Sequence, residues 1–347
     1  MPVPTLPSAA STTTSSASAT MTEMRLRDAL REALREEMLR DKRVFLMGED
    51  IGAYGGSYAV TKGLLDEFGP ERVMDTPIAE SGIVGVAIGA AIAGLRPMVE
   101  LMTINFSFLA MDQIVNEAAK LHYMSAGQIN VPVVIRMASG GGSQLAATHS
   151  HSLEGLYAHF PGLTVVCPAT PADAKGLLKR AFRDDNPIIF IEHTAIYGLK
   201  GEVPDDPDHL VEFGQANVLR QGEDVTIVGY SGSVHQALRA ATMLQEQEGI
   251  SAEVIDLRTL RPLDLETVVQ SVRKTNRAVI VEDAWKFGGF GAELAAQVME
   301  HAFDSLDAPV ARVSGKDVPM PYNRDLEFAA LPSEEDVVEA VLGMLGD

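Results

Sequence analysis

A single carboxylate, Glu80, stands where an extended segment turns into a helix of small and apolar residues. Pro77 keeps Thr76 out of the helical region of backbone conformation, so the helix is expected to begin after it. No charged residue occurs from 83 to 95, which predicts that this helix is buried. A carboxyl group in such a dry environment has a raised pKa and can share a proton with a ligand. The alternative interpretation is a first-turn glutamate that only complements the helix dipole.

A second group able to do acid–base chemistry lies in a loop. His149 and His151, with His159 nearby, follow the glycine-rich segment 139–143. A loop histidine on a rigid scaffold suits proton transfer or recognition of a substrate carboxylate. Zinc binding is a weaker alternative, because the sequence has no HExxH motif and no Cys/His cluster. An ordinary surface or core histidine is the simplest alternative.

The elements that must position these residues alternate between strand and helix. Apolar residues at helical spacing predict a helix at 24–40, and short apolar runs predict buried strands. Such alternation is typical of an α/β fold with a mainly parallel sheet and helices on both faces. In the first half of the chain the predicted strands are 44–47, 98–102, 131–137, 163–166 and 188–191, and the longer helices are 105–125 and 171–183.

The polar, acidic segment 199–214 predicts a linker, after which the pattern restarts as a second, smaller α/β domain at 215–347. The glycines of 288–291 resemble a dinucleotide fingerprint only superficially, because Leu294 occupies the third glycine position. A nucleotide-binding module therefore stays a remote alternative. The predicted strands of this domain are 225–230, 252–256 and 278–282, and its helices are 233–246, 265–274, 290–303 and 334–345.

Composition narrows the possible partners and location. The net charge of −20 disfavours binding to nucleic acid or to an anionic membrane, and it favours a basic protein partner. Cys167 lies in an apolar run, which predicts a buried structural thiol and a reducing compartment. No apolar run reaches the length of a membrane span, so we expect a soluble, cytoplasmic protein. Residues 1–23 are predicted to be a disordered tail, since the first twenty are rich in Ser, Thr, Ala and Pro.

Several short motifs, taken together, resemble the beta subunits of thiamine-diphosphate-dependent 2-oxo-acid dehydrogenases, the group that includes pyruvate dehydrogenase. They keep their order and spacing from about residue 24 to the C-terminus. Each motif is weak alone, but the set is specific. The motifs are Gly48-Glu-Asp-Ile-Gly, Phe68-Gly-Pro-Glu-Arg-Val, Asp75-Thr-Pro-Ile-Ala-Glu-Ser-Gly, Gly94-Leu-Arg-Pro, Asn105-Phe-Ser, Met111-Asp-Gln, Pro161-Gly-Leu-Thr-Val-Val, Pro168-Ala-Thr-Pro-Ala-Asp-Ala-Lys-Gly-Leu, Gly288-Gly-Phe-Gly and Pro319-Met-Pro-Tyr.

The resemblance implies a transketolase-like layout, with a pyrimidine-binding domain at 24–198 and a transketolase C-terminal-like domain at 215–347. It also implies a separate alpha subunit that carries the diphosphate-binding domain and holds magnesium. The chain lacks the Gly-Asp-Gly…Asn motif of that domain, so we expect it to be inactive alone. Two alpha and two beta chains would form a heterotetramer with thiamine diphosphate at each alpha–beta interface.

The resemblance also assigns roles to individual residues. Glu80 resembles the carboxyl group that bonds the aminopyrimidine ring of the cofactor and exchanges a proton with it. Phe106 would stack on that ring, and Ile78 and Met102 would line the same apolar pocket. Glu49 resembles the acid of a proton path that joins two active sites. The alternatives are ordinary core residues and a loop or helix-cap carboxylate.

His149 resembles the histidine that faces the substrate and the incoming lipoyl group. The usual Gln-His-Ser-Gln appears here as Thr-His-Ser-His, so His151 adds a titratable group. Many relatives bind potassium through backbone carbonyls, and the resemblance places such a site at Val133, Ala181, Asp184 and Asn186.

The function implied is the decarboxylation of a 2-oxo acid followed by reductive acylation of a lipoyl group. Pyruvate is the favoured substrate, and acetoin or branched-chain 2-oxo-acid dehydrogenases are the alternatives within the group. A lipoyl acyltransferase is expected to dock on the C-terminal domain, where acidic charge suits a basic module. A stand-alone transketolase-type transferase would need the missing diphosphate motif in the same chain.

Overall fold

Strand and helix alternate along the first half of the chain, as the computed structural model shows for the described residues, 20–346. The six apolar positions of the first helix that face inward include Leu26, Leu30 and Leu34, in agreement with the predicted helical spacing. The elements are β1 (Met21–Arg25), α1 (Leu26–Arg40), β2 (Val44–Gly48), α2 (Leu64–Phe68), β3 (Val73–Asp75), α3 (Glu80–Ile92), β4 (Arg96–Leu101), a 3₁₀ helix (Ile104–Ala110), a π-helix (Gln113–Ala118), α4 (Ala119–Met124), β5 (Val134–Ser139), α5 (Glu154–Ala158), β6 (Thr164–Val166), α6 (Pro171–Phe182), β7 (Ile188–His193), a 3₁₀ turn (Thr194–Ile196) and β8 (Lys200–Pro204).

The second half repeats the alternation, and its predicted strands and helices are confirmed within one to three residues at each end. Its additional elements, β9, β12, β14 and α10, are short and carry weak sequence patterns. The elements are β9 (Asn217–Arg220), β10 (Val225–Gly229), α7 (Ser233–Glu248), β11 (Ala252–Asp256), β12 (Thr259–Arg261), α8 (Leu265–Thr275), β13 (Ala278–Trp285), α9 (Phe290–Ala302), a 3₁₀ turn (Phe303–Ser305), β14 (Ala311–Gly315), α10 (Arg324–Ala330) and α11 (Glu334–Leu345).

Two mainly parallel sheets organise residues 20–346. The first has seven strands in the order β12-β6-β7-β5-β4-β2-β3, and only β12 runs antiparallel to its neighbour. The second has five strands in the order β14-β13-β10-β11-β9, with β9 antiparallel. The predicted α/β fold is therefore confirmed. Because β12 belongs to the second half of the chain, the two halves share a sheet, and the domain boundary at 199–214 stays a prediction.

The parallel strands of the first sheet bring several functional positions to one edge. Glu49 directly follows β2, and Met102 directly follows β4. These strands are neighbours, with Gly48 opposite Glu100. The carboxyl ends of parallel strands meet at the same edge, where α/β proteins bind their ligands. The core beneath this edge continues across both halves, since one apolar cluster contains residues of the first sheet and of α9.

Two segments that were predicted to be irregular contain short strands. The last residues of the predicted tail 1–23 form a strand, because β1 pairs antiparallel with β8. The strand β8 in turn lies inside the predicted linker 199–214, whose polar composition hid a short edge pairing. Residues 1–19 of the predicted tail lie outside the described residues.

The predicted long helix at 105–125 is wrong, because it is divided into the 3₁₀ helix, the π-helix and α4. The Thr103 side chain accepts a hydrogen bond from the Asn105 backbone, and the Ser107 hydroxyl donates to the Ile104 carbonyl. Side chains that bond the nearby backbone compete with α-helical hydrogen bonds. The backbone therefore departs from a regular helix, and Phe108 is exposed while Ile114 and Ala118 are buried.

The prediction that 83–95 is buried is only half right. Val84 and Ala87 of α3 are buried, whereas Val86 and Ile92 are exposed. The absence of charged residues from 83 to 95 therefore does not mean that this helix is buried within its own chain. Cys167 is buried and unpaired as predicted, and its burial raises its pKa. None of the helices in the described part of the chain is long and apolar enough to cross a membrane.

Candidate active site

Glu80 is the first residue of α3 and is only 3% exposed. The extended approach to the helix is held by Asp75, whose carboxylate accepts hydrogen bonds from the backbone N–H groups of Gly52 (2.6 Å) and Ala53 (3.3 Å). A side chain at Gly52 would collide with that carboxylate. The loop after β2 and the start of α3 are therefore tied together, and Glu80 is presented at the strand edge from a fixed backbone.

Glu49 is a second buried carboxyl group at the same place. Its Oε1 atom is buried and has no hydrogen-bond partner among the described residues. Burial raises the pKa of Glu49, and the neighbouring charges of Glu80 and Asp50 raise it further. A carboxyl group of this kind tends to hold a proton, and a nearby carboxylate can share it. The structure thus brings together the two acids that the sequence singled out.

Phe106 and His149 meet at the surface beside this region. The Phe106 ring lies edge-on to the His149 ring, with 5.2 Å between the ring centroids and 85° between the planes. Phe106 is partly buried on the 3₁₀ helix, and Met102 is partly buried just after β4. Ile78, in contrast, is 80% exposed, so within this chain it lines no enclosed pocket.

His149 stands near the end of a loop whose two ends are joined. The Gly140 backbone N–H donates to the His151 carbonyl at 3.0 Å. The His149 ring is exposed, and its Nδ1 atom lies 3.0 Å from the Thr148 hydroxyl. The ring is therefore partly oriented by its neighbour but open to an incoming molecule, as a proton-transferring group requires.

His151 has a different environment from His149. It is half-buried, and its ring lies 5.3 Å edge-on from Trp285 and 6.3 Å from Phe108. Burial lowers the pKa of His151. The environment of the added titratable group that the sequence predicted therefore favours its neutral form. Trp285 lies on β13, and only the tertiary structure shows that it reaches this site.

Sequence reasoning also missed the connecting role of Asn105. Its buried amide oxygen accepts hydrogen bonds from the Thr103 hydroxyl (2.9 Å) and from the His151 backbone N–H (3.4 Å). This residue therefore joins the helix that carries Phe106 to the loop that carries His149. The available signal was a pair of polar residues, Thr103 and Asn105, within an otherwise apolar stretch.

Three of the four predicted potassium ligands have carbonyl oxygens that accept hydrogen bonds within the chain. The carbonyl of Val133 accepts from the backbone of β7, and the carbonyl of Ala181 accepts from the turn after α6. The carbonyl of Asp184 accepts from the Arg96 guanidinium at 2.7 Å, and the Asn186 amide donates to the Asp184 side chain. The potassium site stays a prediction.

The alternatives to this site are a cleft and a metal centre. A cleft of about 920 Å³ lies between the halves of the molecule and is lined by His159, Leu260, Trp285 and Phe290, among others. It therefore borders His151 through Trp285 but includes neither Glu80 nor His149. The described residues also contain no group of three or more His, Cys, Asp or Glu side chains that could hold a metal ion. The zinc alternative therefore has no donor set in that part of the chain.

Comparison with known families matches both halves of the chain. Residues 22–200 match the family described as "Transketolase, pyrimidine binding domain", and residues 214–337 match "Transketolase, C-terminal domain". Among solved structures, "Split gene transketolase, inactive beta4 tetramer" is similar with a TM-score of 0.75 and 28% sequence identity. That match covers 92% of this chain and 98% of the other.

Curated relatives are more similar in sequence. The pyruvate dehydrogenase E1 component subunit beta of Rickettsia felis is 54% identical over 319 residues, which cover 92% of this chain and 97% of the relative. The mitochondrial subunit of the same name from Caenorhabditis elegans is 54% identical over 333 residues, which cover 95% and 94%. Together with the two transketolase-type domains and the paired acids at the strand edge, these matches show that the chain belongs to the pyruvate dehydrogenase E1 component subunit beta family.

Proposed function

We propose that this chain is the half of a thiamine-diphosphate-dependent pyruvate dehydrogenase that activates the cofactor and receives the acyl acceptor. The observation that carries the proposal is the buried pair Glu49 and Glu80, one with a raised pKa and an unpartnered oxygen. Pyruvate is the substrate favoured by the family. Acetoin and branched-chain 2-oxo acids stay alternatives, because a partner chain would complete the substrate pocket.

The residues present fit the aminopyrimidine part of thiamine diphosphate. When bound, the cofactor supplies a nucleophilic ring carbon and an electron sink for loss of carbon dioxide. Glu80 would hold or release a proton at a ring nitrogen, since it is buried and lies near a second acid. Phe106 offers a flat apolar surface for the ring, with Met102 beside it. Ile78 would contribute only where the partner chain covers it.

His149 would act on the substrate side of the site. Its exposed ring can donate a proton to a substrate oxygen or to a lipoyl sulfur, and it can bind a carboxylate when charged. The edge contact of the His149 ring with Phe106, the proposed ring-binding surface, supports this role. Both decarboxylation and acyl transfer would therefore take place beside Phe106 and His149.

An alpha-type subunit would complete the enzyme and hold the magnesium and diphosphate. Apolar side chains are exposed beside the site on α3 and on the helices packed against it, including Val86, Phe108 and Leu109. Contiguous apolar surface of this kind marks protein interfaces. The heterotetramer, the docking of a lipoyl acyltransferase on the acidic C-terminal half, and the cytoplasmic location stay predictions.

The substitution Glu80→Gln tests the proposal, because it keeps the shape of the side chain and removes the exchangeable proton. We expect the purified alpha–beta complex to assemble normally and to lose activity with pyruvate by on the order of 10²–10⁴-fold. The matched control is Glu335→Gln, an exposed carboxylate in the first turn of α11, which should leave turnover unchanged.

Turnover, subunit mass and bound thiamine would be measured on the same samples. Unchanged turnover of the Glu80→Gln complex would refute the proton-exchange role. If the wild-type complex turns over acetoin or a branched-chain 2-oxo acid faster than pyruvate, the substrate assignment changes but the proposed reaction type stands. If the wild-type chain is purified from its native cells and carries neither a partner subunit nor thiamine, the proposed function itself is refuted.

A further inference from the structure

Glu327 is a fully buried acid in α10 that the proposed mechanism does not use. It is 0% exposed, and within residues 20–346 its carboxylate accepts hydrogen bonds only from the distant glycine-rich loop. Its Oε1 atom accepts from the backbone N–H groups of Gly142 (2.9 Å) and Gln144 (3.1 Å), and its Oε2 atom lies 3.0 Å from the latter. A buried carboxylate is tolerated only with such compensation, so this contact specifies where the loop must lie.

The loop segment that Glu327 binds has an unusual backbone. Gly142, Gln144 and Ala146 have positive φ angles of 92°, 56° and 65°. Alternation of this kind can turn successive N–H groups towards one point, which makes an anion-binding concavity. The left-handed conformation is costly for residues other than glycine, by about 1–3 kcal/mol each, and persists only where the surroundings impose it. The Glu327 carboxylate is the group that occupies this concavity.

The start of the same loop is packed against both halves of the molecule. A Cβ built on Gly141 would lie 3.1 Å from Met320 Cε and 3.2 Å from Leu331, so the loop touches the segment around α10 directly. A Cβ on Gly140 would overlap the His193 ring, whose Nε2 atom lies 2.6 Å from Asp283 of β13. The loop is therefore fixed at two places. Its start packs on His193, which joins the two sheets through Asp283, and its middle binds Glu327.

The far end of the loop carries His149. The backbone N–H of His149 donates to the Ala146 carbonyl at 3.2 Å, and the Gly140–His151 hydrogen bond closes the loop. The path from Gln144 to His149 is thus short and is restrained at both ends. A change in the position of Gln144 must be absorbed within this path, and it will shift or loosen the histidine.

We propose that Glu327 is a positioning residue for His149: the C-terminal half of the chain sets the conformation of the active-site loop through a buried carboxylate bound to its backbone. This inference rests on the proposed function for its catalytic consequence. It does not need Glu327 to touch substrate or cofactor.

A double-mutant cycle on the assembled alpha–beta complex tests the inference. Glu327→Ala removes the hydrogen bonds of the carboxylate to the loop and is expected to lower kcat with pyruvate by on the order of 10²-fold, as misplacement of a catalytic group does. Glu327→Gln keeps one accepting oxygen and should recover most of that loss. In a His149→Ala background, Glu327→Ala should cause no further loss. Asp325→Asn, an exposed acid on the same helix, is the matched control and should leave kcat unchanged.

Two kinetic results would overturn the inference: wild-type kcat in Glu327→Ala, or losses from the two substitutions that simply multiply. Multiplying losses would mean that Glu327 supports the fold in general and not His149. If Glu327→Ala fails to assemble, the same cycle is run with Glu327→Asp, which keeps the charge but draws the carboxylate one methylene away from the loop, and it decides between these outcomes.

Hydrogen exchange gives a readout that does not depend on His149 chemistry. In Glu327→Ala, the amides of Gly142 and Gln144 should exchange faster, while amides in α9 should not change. If His149→Ala keeps full activity, the proposed role of His149 fails, and this exchange measurement alone judges the Glu327 contact. Unchanged exchange at Gly142 and Gln144 would overturn it.

Discussion

Helices α1 and α3 pack on the same seven-stranded sheet, but their outer faces differ. Helix α1 has 15 residues, with apolar side chains on its inner face and charged ones elsewhere. Helix α3 has 13 residues and carries no charge after Glu80, although about half of it is exposed. Val86 on α3 is 60% exposed, similar to Leu39 on α1 at 57%, but only Val86 lies in a stretch of apolar and small residues.

The difference indicates that the outer face of α1 is covered in part by residues of its own chain, whereas the outer face of α3 is not. The Glu36 carboxylate of α1 pairs with Lys175 and Lys179, two lysines of α6 that are almost fully buried. On α3, in contrast, a Cβ built on Gly89 would meet nothing within 4 Å. A charge-free helix face with open space above it is typical of a surface that a partner covers. Helix α3 therefore points to the proposed subunit contact beside Glu80.

The largest expected effect is on assembly. Val86→Lys should place an unpaired ammonium in the subunit interface and weaken association by about 3–5 kcal/mol. Leu39→Lys is the matched control, and it should leave association unchanged because α1 faces solvent there. Light scattering and titration of the alpha-type partner would measure both. Equal affinity for the two variants would show that α3 is not at the interface.

A change of intermediate size is expected in the pH dependence of folding stability, through the contacts of Glu36 on α1. Burial by itself would raise the pKa of Glu36, but hydrogen bonds and charges from Lys175 and Lys179 outweigh it and hold that pKa below its ordinary value of 4.5. The pair therefore stabilises the fold above that value, and the contribution is lost as pH falls through the lowered pKa.

The substitution Glu36→Gln should accordingly cost about 1–3 kcal/mol of unfolding free energy at neutral pH and less in acid. Denaturant unfolding across this pH range would measure it. Glu300→Gln replaces an exposed carboxylate on α9 and is the control. Its unfolding free energy should match that of the wild type at every pH, whereas the Glu36→Gln deficit should shrink in acid. A Glu36→Gln deficit that stays constant into acid would contradict the ion-pair explanation.

The smallest effect has opposite signs in the free chain and in the complex. Gly89→Ala should stabilise the isolated chain by about 0.5–1 kcal/mol, because alanine favours a helix and space is open at this position. The same methyl group should weaken association if a partner packs closely on α3. Thermal unfolding of the chain and affinity for the partner would be compared. Stabilisation of both would place the partner away from Gly89.

Much of the fold was predictable because apolar periodicity reports burial within one chain. Helix α1 and the strands and helices of the second half follow that rule. The 105–125 segment did not, since Thr103, Asn105 and Ser107 bond the local backbone and divide the helix. The strand β8 escaped notice because an edge pairing needs few apolar residues.

The site was predictable in part. The sequence pointed to Glu80 and His149 through residue type and local context, and the resemblance to a family added Glu49 and Phe106. Periodicity could not show that Glu49 lies near Glu80 or that Phe106 lies edge-on to His149. Those contacts depend on the order of β2, β3 and β4 and on the 3₁₀ helix, which follow from packing.

The sequence by itself determined the α/β class, the acid at the start of α3 and the missing diphosphate motif, because each depends on neighbouring residues along the chain. Only the tertiary structure decided which charge-free surfaces stay exposed and that Glu327 reaches the loop of His149. The carboxylate and the loop lie far apart in the chain, and no local pattern encodes their meeting. Their contact exists because packing of the two sheets places α10 beside Gly142 and Gln144.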